Sequence, residues 1–503
     1  IEDKMSLLGL DIGTTGCKAV AFDKEGNILS QAYREYPLFH PKPGWTELDA
    51  NLLWDKIKQV VFEVATQTRS DPIKALSVST QGEAVVPIGR DGQSLYNFII
   101  SFDKRTEPQY QWWQERMGKE EIFQITGMPL HPMYTINKIM WIKENRPDIY
   151  RKAWKFLCVE DFVIFKLGVF PTIDYSLAAR TMCFDIREKK WSEKILSFAG
   201  VSQELLSEPR PSGYPVGKVN SKIAEELGLK SDVVVTTGGH DQPCGALGAG
   251  VVSPGLVMNA IGTSDVLCPT IKEPLLTKKM LENSYCCYPH TCPDIYTTIS
   301  FNLTGGLLLR WYRDTFCFEE KMEAKRTGQD VYDVIVEKAS PEPVDVYILP
   351  HFVGSGTPTL DSKSKGAILG LTLDTTKQDV SRAMLDSNNY DLRLNMDKLQ
   401  EAGIPLEEIR AIGGGAKSER WLQLRADVLG KRVCTLKVSE AASLGAAILA
   451  GVSINNFDSP QEGAGHWVKI NKIFEPDMKR HSQYMERYQN YLKIYPALKE
   501  LIL

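Results

Sequence analysis

The apolar positions fall in short runs separated by glycine-bearing turns. Leu7-Leu8-Gly9-Leu10-Asp11-Ile12 ends in the turn Gly13-Thr14-Thr15-Gly16. Lys18–Asp23 and Ile28–Tyr33 follow, parted by Lys24-Glu25-Gly26-Asn27, and three such runs predict an antiparallel meander. Asp49 is a candidate N-cap for a helix in which Leu53, Ile57, Val60, Val61 and Val64 recur at helical spacing. Ala75–Ser79 then reads as a buried strand. In mid-chain, Asp232–Thr237 reads as a strand running into Gly238-Gly239-His240-Asp241, and Leu256–Ile261 as another ending in Gly262-Thr263-Ser264. Ile409–Ile412 reads as a strand before Gly413-Gly414-Gly415. Trp421–Gly430 and the small-residue run Ala441–Ala450 read as helices, and Met478–Leu503 as one charged C-terminal helix.

A strand closing on Gly-Thr-Thr or Gly-Thr-Ser thus occurs twice, at Asp11–Thr15 and Ile261–Ser264, which suggests two halves with related cores. The boundary is expected where Gly and Pro cluster, at Gly245–Pro254, and no short tandem repeat is present.

Composition narrows the class. The 503 residues are 43% hydrophobic and 24% charged with a net charge of −4, an ordinary globular balance that gives no reason to expect nucleic acid or an anionic membrane as partner. No run of 18 apolar residues occurs, so no membrane span is expected. Ten cysteines are too sparse for a disulfide scaffold, and no basic-then-apolar leader opens the chain; a reduced, cytoplasmic protein is expected. Met5 reads as the native start, which sets Ile1–Lys4 aside.

Several segments could carry chemistry. In Asp11-Ile-Gly-Thr-Thr-Gly16 the glycines let backbone N–H groups approach an anion, the threonines add donors, Lys18 adds charge, and a carboxylate beside the turn could hold hydrated Mg²⁺. An ordinary β-hairpin with a solvated Asp fits the same six residues. Gly262-Thr263-Ser264 and Gly413-Gly414-Gly415 are two more places where backbone could approach a ligand. No P-loop string is present. Asp241, at a strand end, could accept a proton from a substrate hydroxyl while Gln242 bonds another, or it could simply start a helix. Cys286-Cys287-Tyr-Pro-His290-Thr-Cys292 matches no structural zinc spacing well.

Two longer patterns bring these segments together. Met133-Tyr-Thr135-Ile-Asn-Lys138-Ile139-Met-Trp141-Ile142-Lys-Glu144-Asn145 fits the first signature of the FGGY family of carbohydrate kinases at every fixed position. Gly366-Ala-Ile368-Leu-Gly370-Leu371, seven residues, and Asp379-Val380-Ser-Arg-Ala383-Met384-Leu385-Asp386 fit the second. The Asp11 turn, Gly44-Trp45-x-Glu47-x-Asp49, the Asp241 segment and the glycine triplet fall in the family's order, so the chain resembles that family from Leu7 to its C-terminal helix. The resemblance implies an α/β, two-domain actin/Hsp70/ribonuclease-H-like ATPase fold with a ligand cleft between domains. Residues 5–249 would bind sugar and carry the Mg²⁺ and phosphate turn, and residues 250–503 would bind ATP. The γ-phosphoryl of ATP would pass to a hydroxyl of a sugar or polyol.

Residue by residue, the resemblance makes Asp241 the catalytic base and Asp11 the Mg²⁺ carboxylate. Thr14, Thr15 and Lys18 would face the transferring phosphate and Gly262 and Thr263 the others. Gly306, Arg310, Gly414, Gly415 and Glu419 would border the nucleotide. Sugar contacts would come from Gln81, Gly82, Glu83, Asp103, Tyr134 and Gln242. Xylulose kinases usually carry Gln-Met-His where this chain has Gln81-Gly82-Glu83. Glycerol kinases carry Gln-Arg-Glu there and Asp-Gln at the base, yet the Trp that walls the glycerol pocket aligns with Ser101. A ketose or sugar alcohol of four to six carbons, a pentulose foremost, is therefore expected, with a glycerol or tetritol kinase as the alternative. A non-catalytic ATP-binding switch of the same superfamily would not need Asp241. A homodimer is expected. Ser387-Asn388-Asn389-Tyr390 departs from the small or acidic residue and Gly usual after the second signature.

Overall fold

The computed structural model describes residues 4–501, built around two sheets of one design. In the first, β1 (Ser6–Ile12), β2 (Gly16–Phe22) and β3 (Ile28–Glu35) form the expected antiparallel meander. β1 also pairs in parallel with Ile73–Thr80, which pairs in parallel with Val234–His240; Pro215–Lys218 closes that edge antiparallel. The second sheet repeats the order. Gly255–Ile261 stands where β1 stands, antiparallel to Asp265–Ile271 and parallel to Leu406–Ile412. Ser300–Asn302 takes the place of β3; on the other side Arg432–Leu436 continues in parallel and Ile470–Phe474 closes antiparallel. The two strand–Gly–Thr turns are therefore equivalent hairpins, and the doubled sheet is the actin/Hsp70-like plan.

β1 reads as a nearly unbroken apolar run because both of its faces are covered. Leu8, Leu10 and Ile12 pack toward α1 (Ala50–Gln67), whose Asp49 cap accepts the N–H groups of Asn51 and Leu52 at 2.8 and 2.9 Å. Leu7, on the opposite face, packs against the helix Ala441–Ser453, as do Val20, Phe22 and Ala75. That helix comes from the second half of the chain yet lies across the first sheet. The small residues expected of it are required by close packing on the helix Asp241–Gly248: a Cβ at Gly445 would sit 2.0 Å from the Cys244 carbonyl oxygen.

One expected element is corrected. The C-terminal helix is two, Met478–Tyr491 and Ile494–Leu498. Pro496 has no N–H to bond the Leu492 carbonyl, so the helix restarts with proline in its first turn. The last two residues of that expectation, Ile502 and Leu503, lie outside the described residues.

Candidate active site

The β1–β2 turn is held from three sides. Gly13 N–H bonds the Gly16 carbonyl at 2.9 Å, and the buried Tyr36 hydroxyl donates to the Gly13 and Gly16 carbonyls at 2.5 and 3.0 Å. Gln81 Nε2 donates to the Gly13 carbonyl at 3.3 Å while its Oε1 accepts from Thr14 Oγ1 at 3.2 Å. Gln81 is thus a strut for the turn. Asp11, on the β1 face turned toward the crossing helix, accepts from Ser79 Oγ at 3.0 Å. Burial pushes its carboxyl up to about 6, against the pull of Ser79 and the Lys18 charge. Lys18 does not point freely at a phosphate position: its ammonium pairs with Glu440 at 2.5 Å.

Immediately after Ile73–Thr80 the chain turns through Gly82 and Glu83. Glu83 has φ +62°, a left-handed conformation rarely adopted by residues with side chains. The first family signature holds it there: its carbonyl accepts from buried Lys138 Nζ at 2.8 Å and from Thr135 Oγ1 at 3.1 Å. Its carboxylate pairs with Arg180, whose guanidinium lies over the rings of Tyr134 and Tyr288 at 5.5 and 5.6 Å. Burial lowers the Lys138 ammonium to about 8. Tyr134, 2% exposed, floors Arg180.

Asp103 is likewise withdrawn from the expected sugar contacts. Its side chain is fully buried and four donors occupy its oxygens: Arg105 N–H at 2.9 Å, Arg105 Nε and Nη2 at 2.8 Å each, and Thr46 N–H at 2.5 Å. Arg105 also pairs with Glu47 at 2.9 Å and lies 3.9 Å from the Trp45 ring centroid, so the Gly44–Asp49 segment and Asp103 form one structural knot.

Asp241 is the first residue of its helix. Its side chain is one-third exposed, but Oδ1 is itself buried with no completed hydrogen bond. Gln242 Oε1 is in the same state. Burial pushes the Asp241 carboxyl up to about 7, reinforced by the negative charges of Asp11 and Glu83 and opposed by Gln242 and Arg180. Asp11, Glu83, Arg180 and Asp241 therefore feel one another at the mouth of the first sheet. Arg180 carried no sequence signal, since it lies far along the chain from every partner.

The second sheet supplies a cavity of about 750 Å³. Gly262, Thr263, Gly306, Arg310, Gly414 and Gly415 all line it, which gathers six expected nucleotide contacts in one place. Glu419 does not: it pairs with Lys472 and borders a separate groove of about 280 Å³. Its position at the start of Glu419–Leu429 turns it toward the edge strand Ile470–Phe474.

Ser387–Tyr390 is explained by this side of the molecule. It lies in the interior of the helix Lys377–Glu401 and is buried throughout. Asn388 Nδ2 donates to the Gly305 carbonyl at 3.0 Å and Oδ1 accepts from Asn302 at 3.2 Å; the Asn302 amide oxygen accepts the Thr304 N–H at 3.2 Å. Asn389 Oδ1 accepts from Arg425 Nε at 3.0 Å, and Arg425 pairs with Asp265 at 2.5 Å. These amides fix the backbone around Gly305-Gly306 beside the cavity.

The ten cysteines are buried and free, and no group of three or more metal-ligating side chains is found among the described residues. Among them, too, no helix is long and apolar enough to cross a membrane.

Fold and site together define a two-domain ATPase of the actin/Hsp70-like class. Models of the FGGY family of carbohydrate kinases match residues 6–248 with the N-terminal domain and 257–454 with the C-terminal domain, and the chain belongs to that family. It is accordingly a phosphotransferase with an alcohol acceptor that uses ATP to phosphorylate a small sugar-type molecule. A xylulose kinase of Staphylococcus epidermidis is 29% identical over 99% of this chain and 98% of its own length; a glycerol kinase of Halorhodospira halophila is 30% identical over 94% and 92%. Among solved structures, a ligand-bound xylulose kinase and a gluconate kinase, both from Lactobacillus acidophilus, superpose with TM-scores of 0.90 at 24% and 25% identity, each covering 99% of both chains.

Proposed function

We propose that this kinase transfers the γ-phosphoryl of ATP to a hydroxyl of a ketose or sugar alcohol of four to six carbons, a pentulose foremost, with Asp241 as general base. The observation that carries the reading is the Asp241 carboxylate, one-third exposed, with Oδ1 unsatisfied, raised to about 7 and set among Asp11, Glu83 and Arg180. As the acceptor oxygen forms its bond to phosphorus and the bond to ADP breaks, the hydroxyl proton passes to this carboxylate. A carboxyl poised near neutrality is matched to that task.

In this reading residues 5–249 hold the sugar and 250–503 the nucleotide, whose phosphates lie toward Gly262, Thr263, Gly306, Gly414 and Gly415. Asp11 suits Mg²⁺: a single half-buried carboxylate, raised by burial and relieved by a cation, is what an ion that keeps waters and phosphate oxygens needs. The ion would supply charge neutralisation of the phosphates. Gln242, whose amide oxygen has no partner, is free for a sugar hydroxyl, and the Glu83–Arg180 pair borders the same carboxylate. Ser101 stands where the Trp that walls the glycerol pocket would be and favours a longer acceptor than glycerol, in keeping with the xylulose kinases among the relatives.

Glu83 and Asp241-Gln242 match the glycerol-kinase pattern, which supports a glycerol or tetritol kinase as the second reading. A coupled ADP-release assay across tetritols, pentuloses, pentitols, hexuloses and glycerol decides between them. A four- to six-carbon acceptor is expected to give the highest kcat/KM. Glycerol leading by a wide margin would overturn the larger-acceptor reading.

A further inference from the structure

Two residues with no role so far stand directly behind Asp241. His240 ends the strand Val234–His240, and its backbone N–H donates to Ser176 Oγ at 2.9 Å. Its ring is 5% exposed. Nδ1 lies 3.0 Å from the Tyr288 hydroxyl, and Nε2 lies 3.2 Å from Asp241 Oδ1. Tyr288 is fully buried and belongs to the second sheet, in the short strand Tyr288–Pro289. Room for the ring comes from Gly82, where a Cβ would lie 3.1 Å from His240 Cδ2 and Nε2.

The chemistry of this row is constrained. Burial and the Arg180 charge hold the imidazole well below its ordinary range, so it is neutral and carries one proton. If that proton were on Nδ1, the bare Nε2 lone pair would face a carboxylate oxygen at 3.2 Å. If it is on Nε2, the Tyr288 hydroxyl donates to Nδ1 and Nε2–H is turned to Asp241. The second arrangement leaves every group complementary. In this structure the two atoms stand 3.2 Å apart without a completed hydrogen bond. Catalytic hydrogen bonds without substrate are commonly misaligned in this way and tighten when it binds.

We propose that Tyr288 and His240 are positioning residues: Tyr288 fixes the imidazole tautomer so that Nε2–H can hold Asp241 as a carboxylate aimed at the acceptor hydroxyl. The inference rests on Asp241 being the general base. It gives the second sheet a direct hold on a group of the first, because the hydroxyl that sets the tautomer comes from Tyr288. The other groups facing Asp241 are Asp11 from β1, Glu83 after the strand Ile73–Thr80, Arg180 and Gln242. Asp11 and Glu83 favour the protonated acid, so a donor from His240 works with Gln242 and Arg180 to keep the carboxylate form.

The experiment is a pH profile of kcat/KM for the sugar at saturating ATP, with the best acceptor from the panel above. His240→Asn removes the donor at the Nε2 position and is expected to move the acidic limb to higher pH by about one unit, roughly a tenfold loss below the limb. His240→Gln, which can place an amide N–H near that position, should recover much of the shift. Tyr288→Phe should move the limb in the same direction, and the same change made on His240→Gln should have no further effect, because no tautomer is left to set. The KM for ATP should stay within about twofold throughout. Should His240→Asn fail to fold, Tyr288→Phe, which deletes a single hydroxyl, still decides. Limbs unmoved in both single variants, with Asp241→Asn inactive, would overturn the inference and leave the base in place. An active Asp241→Asn would instead remove the base itself.

Discussion

Asp241 and Glu83 show how single side chains in this molecule are set by neighbours distant in the chain. Asp241→Asn is expected to lower kcat by about a thousandfold with ATP affinity within a factor of two, measured by steady-state kinetics and nucleotide titration. Since burial and like charges raise the Asp241 carboxyl to about 7, the working carboxylate is present above that value and lost below it. The kcat/KM of the wild type should therefore fall about tenfold per pH unit below 7, and a limb near pH 4 would contradict the environment described. Glu83 pairs with Arg180 in a nearly closed site, 4% and 8% exposed. Glu83→Ala leaves that guanidinium without its partner and is expected to cost about 3–5 kcal/mol in denaturant unfolding.

The same residues mark how far a sequence reading reaches. Asp11 and Asp241 could be picked out as candidates because each ends an apolar strand beside a turn, a local pattern. Asp103 and Glu419 show the opposite case: their partners, the donor set of Arg105 and Thr46 for one and Lys472 on another strand for the other, leave no trace in spacing. Arg180, Tyr36 and Tyr288 act through pairings across separate strands and loops, so nothing local could have flagged them.

At the scale of elements, the strands and most helices followed from periodicity, since burial on one or two faces writes itself into the alternation of side chains. The single C-terminal helix failed on one proline. The helix Lys377–Glu401 is the harder case: its stretch Ser387–Tyr390 looks polar for a surface but is buried on all sides, its amides bonded to Asn302, Gly305 and Arg425 and its Tyr390 ring packed among Tyr484, Tyr488 and Tyr491. Asn388→Leu strips a partner from both Asn302 and the Gly305 carbonyl. It is expected to cost about 1–3 kcal/mol in chemical denaturation. Because Gly306 lines the cavity proposed for the nucleotide, it should also raise the KM for ATP several-fold while leaving the sugar KM nearly unchanged. Equal rises in both would argue for a general loosening.

For the whole molecule, two copies of one sheet plan place the unsatisfied Asp241 oxygen on one and the 750 Å³ cavity on the other. Water competes with the sugar as acceptor, so closure on both ligands is expected. Small-angle scattering should report a smaller radius of gyration with sugar and a non-hydrolysable ATP analogue together than with either alone, and an unchanged curve would count against closure.

The crossing helix Ala441–Ser453 also has a consequence for how the protein is made. While the chain emerges from the ribosome, Leu7, Val20, Phe22 and Ala75 wait for a cover that is synthesised near the end, formed by Leu444, Ala447, Ile448 and Leu449. The first half cannot mature as it is born, so the nascent protein depends on late docking or on a chaperone that shields this face. Residues 5–249 expressed alone should partition into aggregates, and co-expression of residues 250–503 should draw them back into the supernatant.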